Sequence, residues 1–347
     1  MPLAPVDDKG THFYYEDSGP VDDQDRSELG TLVLIPGGYF NSGIFRPMLP
    51  YAKEINLRIV LLNLRDFRGS TPYAQSELDE MHSDDIEIGR SFLKNRVNEI
   101  AWFLKWYIEK ENVTKICEQQ GRRVGGISIA TWSAGGCLSI SLLGFADSIP
   151  DPTREFLGDY LRSVVLYDPP CFVFGSAPFP IEHAPLADPA LSDSQKIELF
   201  PAWVTAYYTH GVSSMLLSQN PYEVSDRAAF LQEVASAGDK EPEPTILVFP
   251  AKFLKHVLYT QAFEKGLFDE DIAKTTFPKV KVTVVTCTRS TGMCVCTPWE
   301  VKTRMSTYEK KGISPTRNLS LRIWDGMNHA PHWDMPDKVV ELFAEII

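Results

Sequence analysis

Short apolar runs separated by stretches of helical period constrain this chain more than any other feature in it. Thr31 to Ile35, Ile59 to Leu64, the stretch from Gly125 to Trp132, Leu161 to Leu166, Val280 to Thr286 and Leu319 to Trp324 are six such runs. A run that stays apolar along its length suits a strand covered on both faces, as in a parallel sheet. From Asp84 to Glu111 the period changes, and Ile88, Phe92, Leu93, Val97, Ile100, Ala101, Leu104 and Ile108 fall on or near one face of a helix. His12 to Pro20 alternates as an edge strand that ends in the Gly19-Pro20 turn, and the acidic run from Asp22 to Glu28 reads as a solvated loop. The alternation predicts an α/β fold, a mostly parallel central sheet flanked by helices. It stops between Pro170 and Ala273, a segment rich in Pro and aromatic residues with helical stretches at Asp193 to Thr209, Tyr222 to Ala237 and Phe253 to Phe268. The series then resumes with a helix from Pro298 to Lys311 and a closing helix from Asp337 to Ile347. Residues 1–169 and 274–347 are therefore expected to form one core, with 170–273 inserted as a helical cap.

Charge narrows the partners. The formal balance of −12 opposes binding to phosphate backbones or to an anionic membrane surface, so neither nucleic acid nor membrane insertion is expected. No run is long and apolar enough to cross a bilayer. Met1 to Asp8 lacks the basic region and apolar run of a secretory signal. Cysteines at 117, 137, 171, 287, 294 and 296 are too dispersed for a disulfide framework and read as thiols in a reducing compartment, so a cytoplasmic location is expected. Cys294-Val295-Cys296 lacks a second Cys or His pair nearby, and neither a metal nor a cofactor is expected.

Ligands of an open parallel sheet bind at the carboxyl ends of its strands, so the loops after the strands share one site. Thr131-Trp132-Ser133-Ala134-Gly135 reads as a strand, a hard turn at Ser133 and the start of a helix, the G-x-S-x-G pattern with Thr131 in place of the first Gly. Such a turn exposes a nucleophile. Gly38 and Ala134 are placed to offer backbone N–H groups to the oxygen that becomes negative when a serine attacks a carbonyl. A serine needs a neighbouring base. The last strand is followed by His329 and His332, of which His329 lies nearer the strand. The base needs an anion to fix its tautomer. After Thr286 there is no carboxylate until Glu300, which leaves Asp168 as the leading acid, with Glu300 and Asp325 as alternatives.

The order Ser133, Asp168, His329 resembles that of the α/β-hydrolase superfamily, and the resemblance covers nearly the whole chain. Pro36-Gly37-Gly38 is similar to that family's oxyanion loop with Pro for His, and Asn63 to Ser70 to its D-x-R-G-x-G-x-S loop with Asn63 and Asp66 as departures. Gly326 to Pro336 is similar to its G-x-G-H-x-x-x-x-E-x-P ending, a match that selects His329. An acid after the sixth strand is a variation seen in some lipases and in lactonases that open zearalenone, and Asp168-Pro169-Pro170 locally resembles the latter. The resemblance implies a serine esterase or lactonase acting on a hydrophobic small molecule. It leaves open C–C bond hydrolysis, acyl transfer, a ligand receptor without activity, and a homodimer as the assembly. Phe172, Phe174, Phe179, Trp203, Tyr207, Tyr208, Phe253, Tyr259 and Phe263 give the cap its apolar bulk, most of it for packing. Tyr39, Trp132, Trp203 and Tyr207 are the candidates for contact with substrate.

Overall fold

The computed structural model describes residues 2–20, 30–119, 121–176, 184–210, 217–219 and 253–347. Strands at Leu57–Asn63 and Ile127–Trp132 are buried at every residue, the burial expected of strands covered on both faces. Eight strands form one sheet: β1 (Leu3–Pro5), β2 (His12–Asp17), β3 (Gly30–Ile35), β4 (Leu57–Asn63), β5 (Ile127–Trp132), β6 (Leu161–Tyr167), β7 (Lys281–Cys287) and β8 (Leu319–Trp324). Their spatial order is 1-2-4-3-5-6-7-8. β1 and β2 run antiparallel to their neighbours, and every other pair is parallel. β5 lies between β3 and β6, with Thr131 opposite both Ile35 and Leu166, so the loops after these three strands emerge side by side.

Alternate residues of each strand feed two cores, as the pleat requires. Val33, Ile35, Val60, Leu62, Ile129 and Val164 pack with helices on one face, and Leu32, Leu34, Ile59, Leu61, Ala130 and Val165 with those on the other. On the first face lies α1 (Ile86–Glu111), started by the Asp85 carboxylate accepting from the N–H groups of Glu87 and Ile88 and stopped by Asn112 in the left-handed region, φ 52°. Ile88, expected on its apolar face, is 41% exposed. Beside α1 is α2 (Gly136–Gly144), the helix that follows Ser133.

The expected insertion divides in its described parts. Its helix α3 (Asp193–Val204) ends before Thr209 because the chain turns into a strand, Tyr208–His210, paired antiparallel with Leu217–Gln219. The helix α4 (Phe253–Phe268) has the expected bounds and packs directly on α2. There a Cβ on Gly144 would stand 2.4 Å from Ala262 Cα, so the absent side chain is what lets the two backbones touch. Leu258 and Phe263 of α4 belong to the same core as β5. Tyr222 to Ala237 lies outside the described residues, as do the 22–28 loop, Phe179 and the side chain of Phe253.

A buried cation ties α4 to β8. Arg317, 5% exposed, donates to the carbonyls of Gly266 (2.7 Å), Phe277 (2.9 Å), Thr276 (2.6 Å) and Ile272 (3.3 Å), and burial pushes its pKa down to about 10. A guanidinium spreads several donors over one plane, which suits a ring of helix-end carbonyls. The last helices, α5 (Thr297–Lys310) and α6 (Pro336–Ile346), fall within a residue of the expected bounds. Among the described residues no helix is long and apolar enough to cross a membrane. All six cysteines are free.

Candidate active site

Ser133 follows β5 with φ 56° and opens the short turn Ser133–Gly135 that leads into α2. A non-glycine residue in the left-handed region is held there by its surroundings at a cost of roughly 1–3 kcal/mol. Here the surroundings are the Pro36-Gly37-Gly38 loop. A Cβ on Gly37 would lie 2.7 Å from Ser133 Cβ, and one on Gly135 would lie 2.6 Å from the Pro36 carbonyl oxygen. The loop therefore presses on the turn from both sides of Ser133. Thr131, the departure from the glycine pattern, is accommodated because its hydroxyl is 2.8 Å from that of Ser139, one helical turn into α2. Both hydroxyls are buried and satisfy each other. Ser133 and Ala134 are half-buried, and Gly38 is buried.

Asp168 follows β6 with φ 47° and no exposure. Its N–H donates to Val285 of β7 at 2.8 Å, which extends the β6–β7 ladder by one bond and fixes where the side chain starts. Oδ1 accepts from the Cys287 N–H at 2.8 Å, and Oδ2 accepts from the Ser290 hydroxyl at 2.5 Å. Oδ2 is also 2.6 Å from His329 Nδ1. A carboxylate only accepts, so Nδ1 of the neutral ring carries the proton and Nε2 keeps its lone pair. Nε2 is buried without a hydrogen-bond partner. The ring is itself anchored: Trp132 Nε1–H donates to the His329 carbonyl at 2.6 Å, and the two rings lie 4.8 Å apart. The residue immediately before Ser133 thus holds the histidine loop.

The other candidates of that loop have different partners. His332 is fully buried between Phe45, Trp132 and Tyr167, with Nδ1 3.1 Å from the Tyr167 hydroxyl; burial, with His329 nearby, pushes its pKa well down, so it stays neutral. Glu300 accepts from Arg304 Nε at 2.6 Å on the same helix, and Asp325 from the Thr288 hydroxyl at 2.9 Å. Neither carboxylate is hydrogen-bonded to His329 among the described residues. Asp168, Cys294 and His329 bring their ligand-type atoms within 4.8 Å of one another, a grouping compatible in kind with a metal ion. The Nδ1–Oδ2 separation of 2.6 Å is that of a hydrogen bond and leaves no room for an ion between them. Burial and the Asp168 charge push the Cys294 thiol well up, which keeps it protonated and a poor ligand.

Of the residues expected to meet substrate, Trp132 is placed otherwise. It is fully buried against Phe40, Phe45 and His329, because the indole that follows the strand inward is the one that can reach the histidine carbonyl. Tyr39, next to Gly38, has φ 71°, and its ring packs tilted against that of Phe200 of α3 at 4.7 Å. Trp203, one turn along α3, is half-buried beside Phe200, its indole N–H unpartnered. Tyr207 donates its hydroxyl to Asp334 at 2.8 Å, beneath the Arg289 guanidinium. Phe174, Tyr208, Tyr259 and Phe263 are core residues.

Residues 32–342 match the model of the alpha/beta hydrolase family. The chain belongs to that family. Among solved structures the chain is similar to carboxylesterase CesB of Bacillus subtilis, with 16% identity and a TM-score of 0.52 over 99% of this chain and 90% of that one. It is also similar to proline iminopeptidase of Mycobacterium smegmatis, at 12% identity and a TM-score of 0.51, covering 99% and 96%. A third is Est816, described as an N-acyl homoserine lactone degrading enzyme, at 14% identity and a TM-score of 0.51, each chain covered in full. At these identities the likeness is one of fold. No curated protein sequence matches the chain.

Three residues around the candidate site escape a reading of the sequence. Gly37 has no side chain where a Cβ would stand 2.7 Å from Ser133 Cβ, which lets the loop touch Ser133. Ser139 answers Thr131. Ser290 sits on the loop after β7, where a search for carboxylates passes over a hydroxyl.

Proposed function

We propose that the protein is a serine hydrolase that cleaves an ester or lactone of a hydrophobic small molecule through Ser133, His329 and Asp168. The observation that carries this reading is the 2.6 Å contact of His329 Nδ1 with Asp168, which leaves the Nε2 lone pair without a partner, Ser133 Oγ included, on the loop tied to the residue before Ser133. In the proposed reaction Ser133 Oγ attacks the carbonyl carbon while His329 Nε2 takes its proton. The backbone N–H groups of Gly38 and Ala134 receive the negative oxygen. The proton passes to the leaving alcohol as the tetrahedral species collapses to an acyl-serine. A water then repeats the sequence, its proton taken by Nε2 and returned to Ser133. With a lactone the leaving alcohol stays tethered to the acid, and one hydroxy acid is released.

The aromatic surfaces of Tyr39, Phe200 and Trp203 beside the oxyanion loop support an apolar acyl or alcohol part. Segment 170–273 is proposed to cover the site in its 184–210 portion. The structural neighbours named for carboxylesterase and lactone-degrading activity accord with ester chemistry. A fluorophosphonate probe tests the reading: it is expected to label wild-type protein at Ser133 and not the Ser133→Ala variant, and absence of labelling in folded wild type would refute it. A panel of aryl esters and macrolactones with product analysis then separates ester from lactone cleavage.

A further inference from the structure

The loop after β7 holds no carboxylate, yet it is built around one. Cys287 N–H and Ser290 Oγ–H supply two of the three donors on Asp168, at 2.8 and 2.5 Å, and His329 Nδ1 is the third at 2.6 Å. Ser290 is fully buried, and its Oγ also lies 3.2 Å from His329 Nδ1, so one hydroxyl touches both the acid and the ring. Its backbone is fixed as well: the N–H donates to the Cys287 carbonyl at 3.3 Å, and the carbonyl lies 2.8 Å from His210 Nε2.

We propose that Ser290 is a positioning residue for the acid and histidine, its hydroxyl clamping Asp168 Oδ2 against His329 Nδ1 so that a carboxylate from β6 can serve a histidine also reached from β7. The inference rests on Ser133, His329 and Asp168 acting as a triad. Cys287 fixes only one oxygen of the carboxylate. Without the hydroxyl, Oδ2 is held by the ring alone, and the carboxylate and imidazole can rock together. The hydroxyl also spreads the negative charge of Asp168. Removing it concentrates that charge on the Nδ1 side, which attracts the ring more strongly when it is positively charged than when it is neutral.

The test is the rate of fluorophosphonate labelling of Ser133 across pH, which needs no knowledge of the natural substrate. Ser290→Ala is expected to label about tenfold more slowly near pH 8, the order of losing one hydrogen bond to a charged group, with the acid limb of the profile moved up by about half a pH unit. Wild-type rate and limb in Ser290→Ala, with Ser133→Ala inert, overturn the inference and leave the triad standing. A slower rate with a lowered melting temperature and an unmoved limb also overturns it, since that is the signature of a purely structural role. Failure of wild type itself to label counts against the triad reading instead. If Ser290→Ala does not fold, Asp168→Asn and Asp168→Asn/Ser290→Asp decide: the carboxylate moved to the β7 loop is expected to recover at least about tenfold of the lost rate, and no recovery overturns the proposal.

Discussion

Replacing Gly37 by Ala puts the proposed oxyanion loop to a steric test. The new Cβ would stand 2.7 Å from Ser133 Cβ, 2.9 Å from the Trp132 carbonyl oxygen and 3.3 Å from Ala134 N. Carbon atoms rest about 3.5–4.0 Å apart, so about 1 Å has to be found. Ser133 cannot yield it, because φ 56° is already imposed by the turn. Trp132 is fully buried and tied to the His329 carbonyl, so it cannot yield either. The Pro36–Gly38 loop is left to move, and it carries the Gly38 N–H with it. A misplacement of about 1 Å at a reacting centre costs about a hundredfold in rate, close to the loss of one oxyanion donor. Gly37→Ala is therefore expected to lower kcat about a hundredfold on an aryl ester with KM changed only a few-fold. Overpacking adds a loss of about 1–3 kcal/mol in stability, read by urea unfolding. Gly158→Ala is the control, since its Cβ would meet only Pro278 Cδ at 3.8 Å. A Gly37→Ala variant that keeps kcat within threefold and unfolds with the wild type would refute the contact and the role drawn from it.

Asp168→Asn is expected to lower kcat about ten-thousand-fold by disturbing the tautomer of His329, whereas Glu300→Gln, whose carboxylate serves Arg304, stays within threefold in the same assay. Arg317→Leu removes a buried donor shared by the carbonyls of Gly266, Ile272, Thr276 and Phe277, of which Ile272 and Phe277 keep the backbone N–H groups of Thr276 and Val280, and is expected to cost about 3 kcal/mol in urea unfolding. Glu77 is pulled in two directions: burial works to raise its pKa, while hydrogen bonds from Arg65, the Ala74 N–H and Arg96 prevail and lower it to about 2. Its folded value lies below the unfolded 4.5, so its contribution is complete above pH 4.5 and is lost as pH falls towards 2; Glu77→Gln is expected to flatten acid unfolding in that window. Both Ser133→Gly and Ser133→Ala remove the proposed nucleophile, but at φ 56° glycine is expected to be the more stable by about 1 kcal/mol in thermal unfolding.

The strand series was legible because burial on both faces demands continuous apolar residues, and Leu57–Asn63 and Ile127–Trp132 meet that demand at every position. α4 was legible in its bounds but not in its place. A helix that is apolar enough to be buried does not say against what; the approach of Ala262 to Gly144, and of Gly266 to Leu143, puts it beside α2. The same limit applies to Trp132. The sequence names it a candidate for contact with substrate, whereas pleat direction turns it inward to the His329 carbonyl. Asp168 could be proposed by elimination, since no carboxylate stands between Thr286 and Glu300. The reason it reaches His329 could not, because the hydroxyl and N–H that hold it come from a loop over a hundred residues away.

Strain and hydrogen bonding converge on the same loops. Tyr39, Ser133 and Asp168, after β3, β5 and β6, are non-glycine residues with φ of 71°, 56° and 47°. Each such residue costs roughly 1–3 kcal/mol and persists only where neighbours over-determine it. The neighbours differ in kind: Phe200 packs against Tyr39, the Pro36–Gly38 loop presses on Ser133, and Val285 accepts the Asp168 N–H. Adjacent parallel strands provide the common support, since β3, β5 and β6 fix the three loop origins side by side. A left-handed residue at a strand end redirects the chain within one peptide, so each side chain is delivered by a short loop anchored in the sheet rather than by a long flexible one. Relaxing any of the three backbones would favour the fold while displacing a group from the site, which is why their strain argues for function rather than for a defect of packing.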